Sequence, residues 1–333
     1  MIKVKYMVNQ KVLEKKYKDI FPYSDLQDKW RAFQKKHENV FGVGHKFPTV
    51  LQLLCMPIEG LVDYFFEFTK KIDDAVKTGK LDKDSKKSLK GELSMIFNYD
   101  SKGGYRDEIA KFFMDAENKF EIHTCHYCDM AYVNYFTDNT GRKIRQFDIE
   151  HILDKGRCPM VGLSLYNFLP SCQPCNRTIK KSKCIGETSS SIKTGRLKEI
   201  VKKLSPTNPK YDFDGNMSFY IKPLDPINKS FENLLEHQDD FEIDLNVDGD
   251  ADYSFEAEQF HLKERYNYHK SEAFRLKDLL DHYPKSKVEE IMRITGRSED
   301  EVVDDLFGIE FHKRHHRTFG KLYSDIFRCY KRM

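Results

Sequence analysis

Long apolar runs are missing from this chain. No stretch of its 333 residues approaches the roughly 18 uninterrupted apolar residues that a membrane-spanning helix needs. The N-terminal MIKVKYMVNQ also lacks the apolar run of a signal peptide. A membrane protein is therefore not expected, and the cytoplasm is the expected compartment. No internal repeat or low-complexity tract stands out. With 39% hydrophobic and 33% charged residues and a mean hydropathy of -0.67, the chain reads as an ordinary soluble globular protein of two or three domains. Net charge is scarce too, at only +3.

That small sum hides a split. Residues 1–205 carry 37 basic against 26 acidic side chains, residues 206–311 carry 12 against 26, and the last 22 residues carry 7 against 1. A basic half is what a phosphate-binding surface needs. Within the acidic part, residues 239–258 hold nine carboxylates and no Lys or Arg, so they read as a solvated edge or a region that masks or docks something basic.

The first 120 residues read as a helical N-terminal region. Ser24 and Gln27 resemble a capping box ahead of Leu26, Trp30 and Phe33. Leu61, Tyr64, Phe65, Phe68, Ile72 and Val76 predict a longer helix, Lys80 to Lys90 a polar connection, and Asp107 to Glu117 a further helix. Residues 121–205 change texture. AYVNYF and KIRQFDI, separated by TDNTG, predict a β-hairpin, followed by the loop KGRCPMVG and a Lys-rich helix from about Asn176. SPTNP marks the boundary to residues 206–333. There YDFDGNMSFYI and FEIDLNVDGDADYSFE predict two hairpins and residues beyond Glu256 predict helices, with a capping box at Ser298 and Glu301.

Eight cysteines stand at 55, 125, 128, 158, 172, 175, 184 and 329. Cys125-His-Tyr-Cys128 and Cys172-Gln-Pro-Cys175 have the spacing that lets both sulfurs of a knuckle reach one ion, and tetrahedral zinc is the expected occupant. A closed site of four thiolates has no open position for substrate, so its role should be structural. It would pin the start of the hairpin to the start of the Lys-rich helix. The other four cysteines have no visible partners and are read as unligated.

Between the knuckles lies Phe147-Asp148-Ile149-Glu150-His151-Ile152, then SLYNFLPSC with Asn167, and after the second knuckle Asn176. Phosphodiester hydrolysis needs a base to deprotonate water and positive charge to balance the phosphorane and leaving oxygen; a histidine and a divalent metal supply these. Over residues 121–185 the chain resembles the HNH endonuclease family, whose ββα-metal site combines these residue types in this order. The resemblance implies His151 as general base, Asn167 as the residue orienting the loop that carries it, and Glu150 and Asn176 as ligands of a catalytic Mg²⁺ or Mn²⁺. Asp148 shares a strand face with Glu150 and is either a second ligand or a partner behind the ligands. Many family members have aspartate where Glu150 stands and histidine where Asn176 stands.

Arg177, Lys180, Lys181 and Lys183 follow Asn176 on the Lys-rich helix, and Arg142, Lys143 and Arg145 flank it from the hairpin; all seven are candidates for contact with nucleic-acid phosphates, or else a solvated basic face. The expected architecture is α+β: a central zinc-stapled ββα-metal HNH module between a helical N-terminal region and a β-hairpin plus helical C-terminal region. The layout resembles bacterial HNH proteins associated with defence against phage and mobile DNA, which implies cleavage of DNA, with RNA the alternative, beside an ATPase or sensor subunit. The alternative is a catalytically silent zinc-ribbon subunit that binds nucleic acid or a partner. Asp244-Leu-Asn246-Val-Asp248-Gly249 begins like a calcium loop, but loop position twelve is Phe255 and the flanks alternate like strands, so a hairpin is expected there. A second basic cluster, His312-Lys-Arg-His-His-Arg317, is expected either to bind phosphate or to complement a helix C-terminus.

Overall fold

The computed structural model describes residues 9–100, 102–120, 123–225, 236–309 and 317–332. Of the C-terminal basic cluster only Arg317 lies among them; His312 to His316 lie outside the described residues. Helices dominate, with three small antiparallel strand pairs. Among the described residues no helix is long and apolar enough to cross a membrane. The chain divides into two compact units, each discontinuous in sequence: one comprises Lys3–Glu121 and Asn134–Tyr211, the other Ile122–Val133 and Asp212–Met333.

The first unit is built on helices Gln10–Lys18, Tyr23–Lys36, Ile58–Lys77, Lys83–Ile96 and Arg106–Phe113. Their apolar stripes face inward, burying Leu26, Trp30, Phe33, Leu61, Phe65, Phe68 and Ile72. At about 1.5–3 kcal/mol for each large apolar side chain removed from water, this stripe is the unit's main source of stability. Two local expectations are corrected. Ser24 does not cap its helix; Pro22 stands at the cap, and Gln27 is buried, where its Oε1 accepts from the Val50 amide at 2.9 Å. Nor is Lys80 to Lys90 a connection throughout, because Asp82 accepts from the Ser85 amide at 2.7 Å and starts a helix at Lys83.

Four strands complete this unit. β1 (Tyr135–Thr137) and β2 (Lys143–Arg145) form the predicted hairpin, with Phe136 opposite Ile144. Its turn is tied by Asp138, whose Oδ1 accepts from Thr140 and Arg142 amides, each at 2.9 Å. The run KIRQFDI is not one strand, however. Only Lys143–Arg145 pairs in the hairpin, while β3 (Asp148–His151) pairs antiparallel with β4 (Phe168–Ser171), placing Glu150 opposite Leu169 and His151 opposite Phe168. A single widened helical turn, Pro174–Lys180, follows β4; the Lys181 amide reaches back five residues to the Asn176 carbonyl, and Lys181 itself adopts a left-handed conformation that ends the turn.

In the second unit, β5 (Met217–Pro223) pairs antiparallel with β6 (Phe241–Val247), with Tyr220 opposite Asp244. The two predicted hairpins are thus one strand pair joining both segments. The first Asp-Gly lies in a short helix, Phe213–Asn216, started by Asp212, and not in a two-residue turn. Alternation buries Met217, Phe219, Phe241 and Ile243 against helices, including the C-terminal helix Gly320–Arg332. Asp244 and Asn246 lie on β6, so the calcium-like run is a strand. The acidic run is largely committed to this fold: Glu242 and Asp244 pair with Lys222 and Lys263, and Glu256 is fully buried. Ser298 and Glu301 form the expected capping box.

Candidate functional site

Both cysteine pairs sit on tight backbone turns. The Cys128 and Asp129 amides donate to the Cys125 carbonyl at 3.3 and 2.8 Å, and the Asn176 amide donates to the Cys172 carbonyl at 3.1 Å. Asp129, in a left-handed conformation, secures the first turn: it accepts from Thr124 Oγ1 at 2.6 Å and from the Lys321 amide at 3.0 Å. Tyr127 stacks on Phe260 at 4.2 Å, and Tyr266 Oη donates to the Cys128 carbonyl at 2.8 Å. The sulfurs of Cys125, Cys128, Cys172 and Cys175 all lie within 4.8 Å of one another, and all four residues are buried. Tetrahedral zinc with bonds of ~2.3 Å separates its sulfurs by roughly 3.8 Å, so this cluster can hold such a metal. Cys55, Cys158, Cys184 and Cys329 lie outside it.

The candidate polar site lies on β3, β4 and the widened turn. His151 ends β3 and is 8% exposed. Its Nε2 is 3.1 Å from the Gly162 carbonyl. A carbonyl only accepts, so Nε2 carries the proton and donates, leaving Nδ1 with the lone pair. Tyr99 packs edge-on against the imidazole at 4.6 Å and Phe168 at 4.9 Å. Burial in this apolar setting, helped by the Lys155 and Lys180 charges, pushes the imidazole pKa down to about 3.

Asn167 is fully buried and holds the loop after β3. Its Oδ1 accepts from the Leu153 amide at 2.7 Å, and its Nδ2 donates to the carbonyls of Leu153 and Val161 at 3.1 and 2.9 Å. The helical core anchors the same loop, as Tyr17 Oη donates to the Leu163 carbonyl at 2.8 Å and Ser164 Oγ to the Leu53 carbonyl at 2.6 Å. The carbonyl that fixes the His151 tautomer is therefore itself fixed.

The acids separate. Asp148 meets Asn176, whose Nδ2 donates to it at 3.1 Å, and accepts a two-pronged contact from Arg177 Nε and Nη2, both at 2.7 Å. Glu150 is elsewhere: it is buried, with Lys180 Nζ 2.5 Å away, and the same ammonium donates to the His151 carbonyl at 2.7 Å. Burial pushes the Glu150 carboxyl above its usual range while the Lys180 charge opposes that rise. Lys180 is only 1% exposed, so its ammonium is part of the core and not of the exposed basic face expected for it. No periodicity in the sequence distinguishes it from Lys181 and Lys183, which are exposed. Arg142 is exposed beside Asp138 at 3.5 Å, Lys143 Nζ lies 5.3 Å over the Tyr135 ring, and Arg145 is half-buried.

Sequence reasoning did not find Tyr99, Lys155 or the buried role of Lys180. Tyr99 and Lys155 carry no motif, and only folding brings Tyr99 to the histidine. Compared with protein-family models, with curated proteins and with solved structures, the chain matches none.

Proposed function

We propose that this chain is a metal-dependent endonuclease of the HNH type that hydrolyses phosphodiester bonds, with DNA as the substrate class and defence against phage or mobile DNA as its setting. One observation carries the reading: His151 is held as the Nε2-protonated tautomer by Gly162, on a loop clamped by Asn167, beside a strand that pairs an acid with Asn176. That arrangement leaves Nδ1 to accept a proton from water. The new oxygen–phosphorus bond forms as the bond to the leaving oxygen breaks, and the departing alkoxide takes a proton from solvent. A base with a pKa near 3 is unprotonated at any working pH but weak. An anionic phosphate beside it favours the protonated form, so its basicity rises once substrate is bound.

The donor set also fits a hard divalent ion, at a different acid from the one the family resemblance implies. Asp148 and Asn176 meet, and the Arg177 that covers Asp148 has a side chain 64% exposed, able to swing away. Glu150 is committed to an ammonium with no route to solvent. Asp148 and Asn176 would therefore hold Mg²⁺ or Mn²⁺, oxygen ligands suiting either ion. When bound there, such an ion supplies positive charge for the phosphorane and the leaving oxygen. The four-cysteine cluster takes zinc in a closed, structural role. Arg177, Lys181 and Lys183 neutralise backbone phosphates from the turn.

A silent zinc-ribbon subunit is the second reading, and the Glu150–Lys180 pair favours it, because it withdraws one acid from the site. Cleavage of plasmid DNA and of RNA with Mg²⁺ or Mn²⁺, by wild type and by His151→Ala, decides between them. We expect cutting by wild type and a loss of at least 100-fold in His151→Ala, the size of general-base effects. Equal cutting by both overturns the assignment of His151.

A further inference from the structure

The β1–β2 hairpin presents aromatic and basic side chains together. All three β1 residues are exposed, Tyr135 by 37% and Phe136 by 46%. Large aromatic rings on an exposed two-stranded ribbon forgo burial, and Asp138 ties the turn of this one through the Thr140 and Arg142 amides. Side chains alternate across the ribbon, so Tyr135 and Thr137 share one face with Arg145 and Lys143, their cross-strand partners, while Phe136 and Ile144 take the other. On the first face Lys143 Nζ, which donates to the Met114 carbonyl at 3.1 Å, stands over the Tyr135 ring, 5.3 Å from its centre. Arg145, directly opposite Tyr135, ends β2 only three residues before Asp148, the first residue of β3, the strand that ends at His151. The face thus adjoins the proposed cleavage site.

We infer that the Tyr135 face of this hairpin is a stacking platform for an unpaired nucleotide, so that the substrate is nucleic acid single-stranded next to the scissile phosphate. The inference rests on the nuclease reading and names its substrate. A ring flanked by cations suits an unpaired base, whose π face is open and whose flanking phosphates are anionic. A paired base inside a duplex offers no such face. Arg145 and Lys143 neutralise the phosphates on either side of the stacked base, with Arg142 at the turn extending the positive surface.

The test measures binding of a labelled 20-nucleotide single strand and of its duplex to the full chain carrying His151→Ala, by fluorescence anisotropy in Mg²⁺. We expect tighter binding of the single strand, and loss of that affinity on the order of 10-fold or more in Tyr135→Ala, the size of one stacking contact. Tyr135→Phe, which keeps the ring, should retain it, and duplex affinity should not change. Equal affinity for both forms, or a Tyr135→Ala chain that binds the single strand as before, overturns the inference. Binding of neither form overturns it too and leaves the hairpin as a surface for a protein partner. Cleavage with and without His151 is scored separately. His151-dependent cutting without any Tyr135 effect sinks the platform alone; Tyr135-dependent binding without His151-dependent cutting sinks the nuclease reading alone.

Discussion

His151 illustrates how much of a residue's chemistry its neighbours decide. In the unfolded chain its imidazole titrates near ~6.5, whereas in the fold burial and the nearby Lys155 and Lys180 charges hold it down to about 3. Between those values the unfolded chain binds a proton that the folded chain refuses. Stability from this group is therefore intact above about pH 6.5 and lost as pH falls toward 3, by up to ~1.4 kcal/mol per pH unit. Urea unfolding of wild type and His151→Gln at pH 7, 5.5 and 4.5 checks this: the wild type should weaken more steeply, and parallel losses would refute the buried neutral histidine. In the proposed nuclease, kcat/KM reports the free protein and should show no acid limb near 6.5 from this residue.

At the scale of elements, the β3–β4 pair and the widened turn after it were partly legible. The sequence marked Asp148, Glu150, His151, Asn167 and Asn176 as belonging together, and alternation along a strand predicted that Asp148 and Glu150 share a face. It could not say that the two acids find different cations, one exposed and one buried, because that depends on where the turn carries Arg177 and Lys180. Truncating one partner of a buried pair strands the other charge, so Lys180→Ala should cost about 3–5 kcal/mol in chemical denaturation. Glu150→Gln combined with Lys180→Met should restore most of that loss. Unchanged stability in Lys180→Ala, with weakened nucleic-acid binding instead, would return Lys180 to the phosphate-contacting role. The C-terminal strands misled for a related reason. Asp-Gly between alternating apolar residues signals a hairpin locally, but here β5 and β6 pair with each other along their whole length, Met217 opposite Val247 through Pro223 opposite Phe241.

For the whole molecule, the small net charge proves a poor guide, since it sums regions with different work. In the acidic stretch Glu242 and Asp244 pair with Lys222 and Lys263 and support β6, while the basic surplus includes the exposed Arg142, Lys143, Arg177, Lys181 and Lys183. The cysteine cluster also acts at this scale, because it draws on residues far apart in sequence. Elemental analysis should find about one zinc per chain, and Cys125→Ser or a strong chelator should lower the thermal midpoint, since metal binding to a site absent from the unfolded chain is folding free energy. A metal-free protein of unchanged midpoint would contradict this.

What the sequence determined by itself is what depends on spacing alone: two metal-competent cysteine pairs, helical stripes, the Thr-Asp-Asn-Thr-Gly hairpin and the chemical types gathered around His151. These are local, because a two-residue knuckle or a period of 3.6 needs no distant partner. Only the tertiary structure decided which acid stays available at the site, which lysine is buried, which ring packs on the histidine and how low its pKa falls. Those properties arise from burial and from charges brought close by folding, and both are absent until segments as remote as Tyr99 and Phe168 pack together around His151.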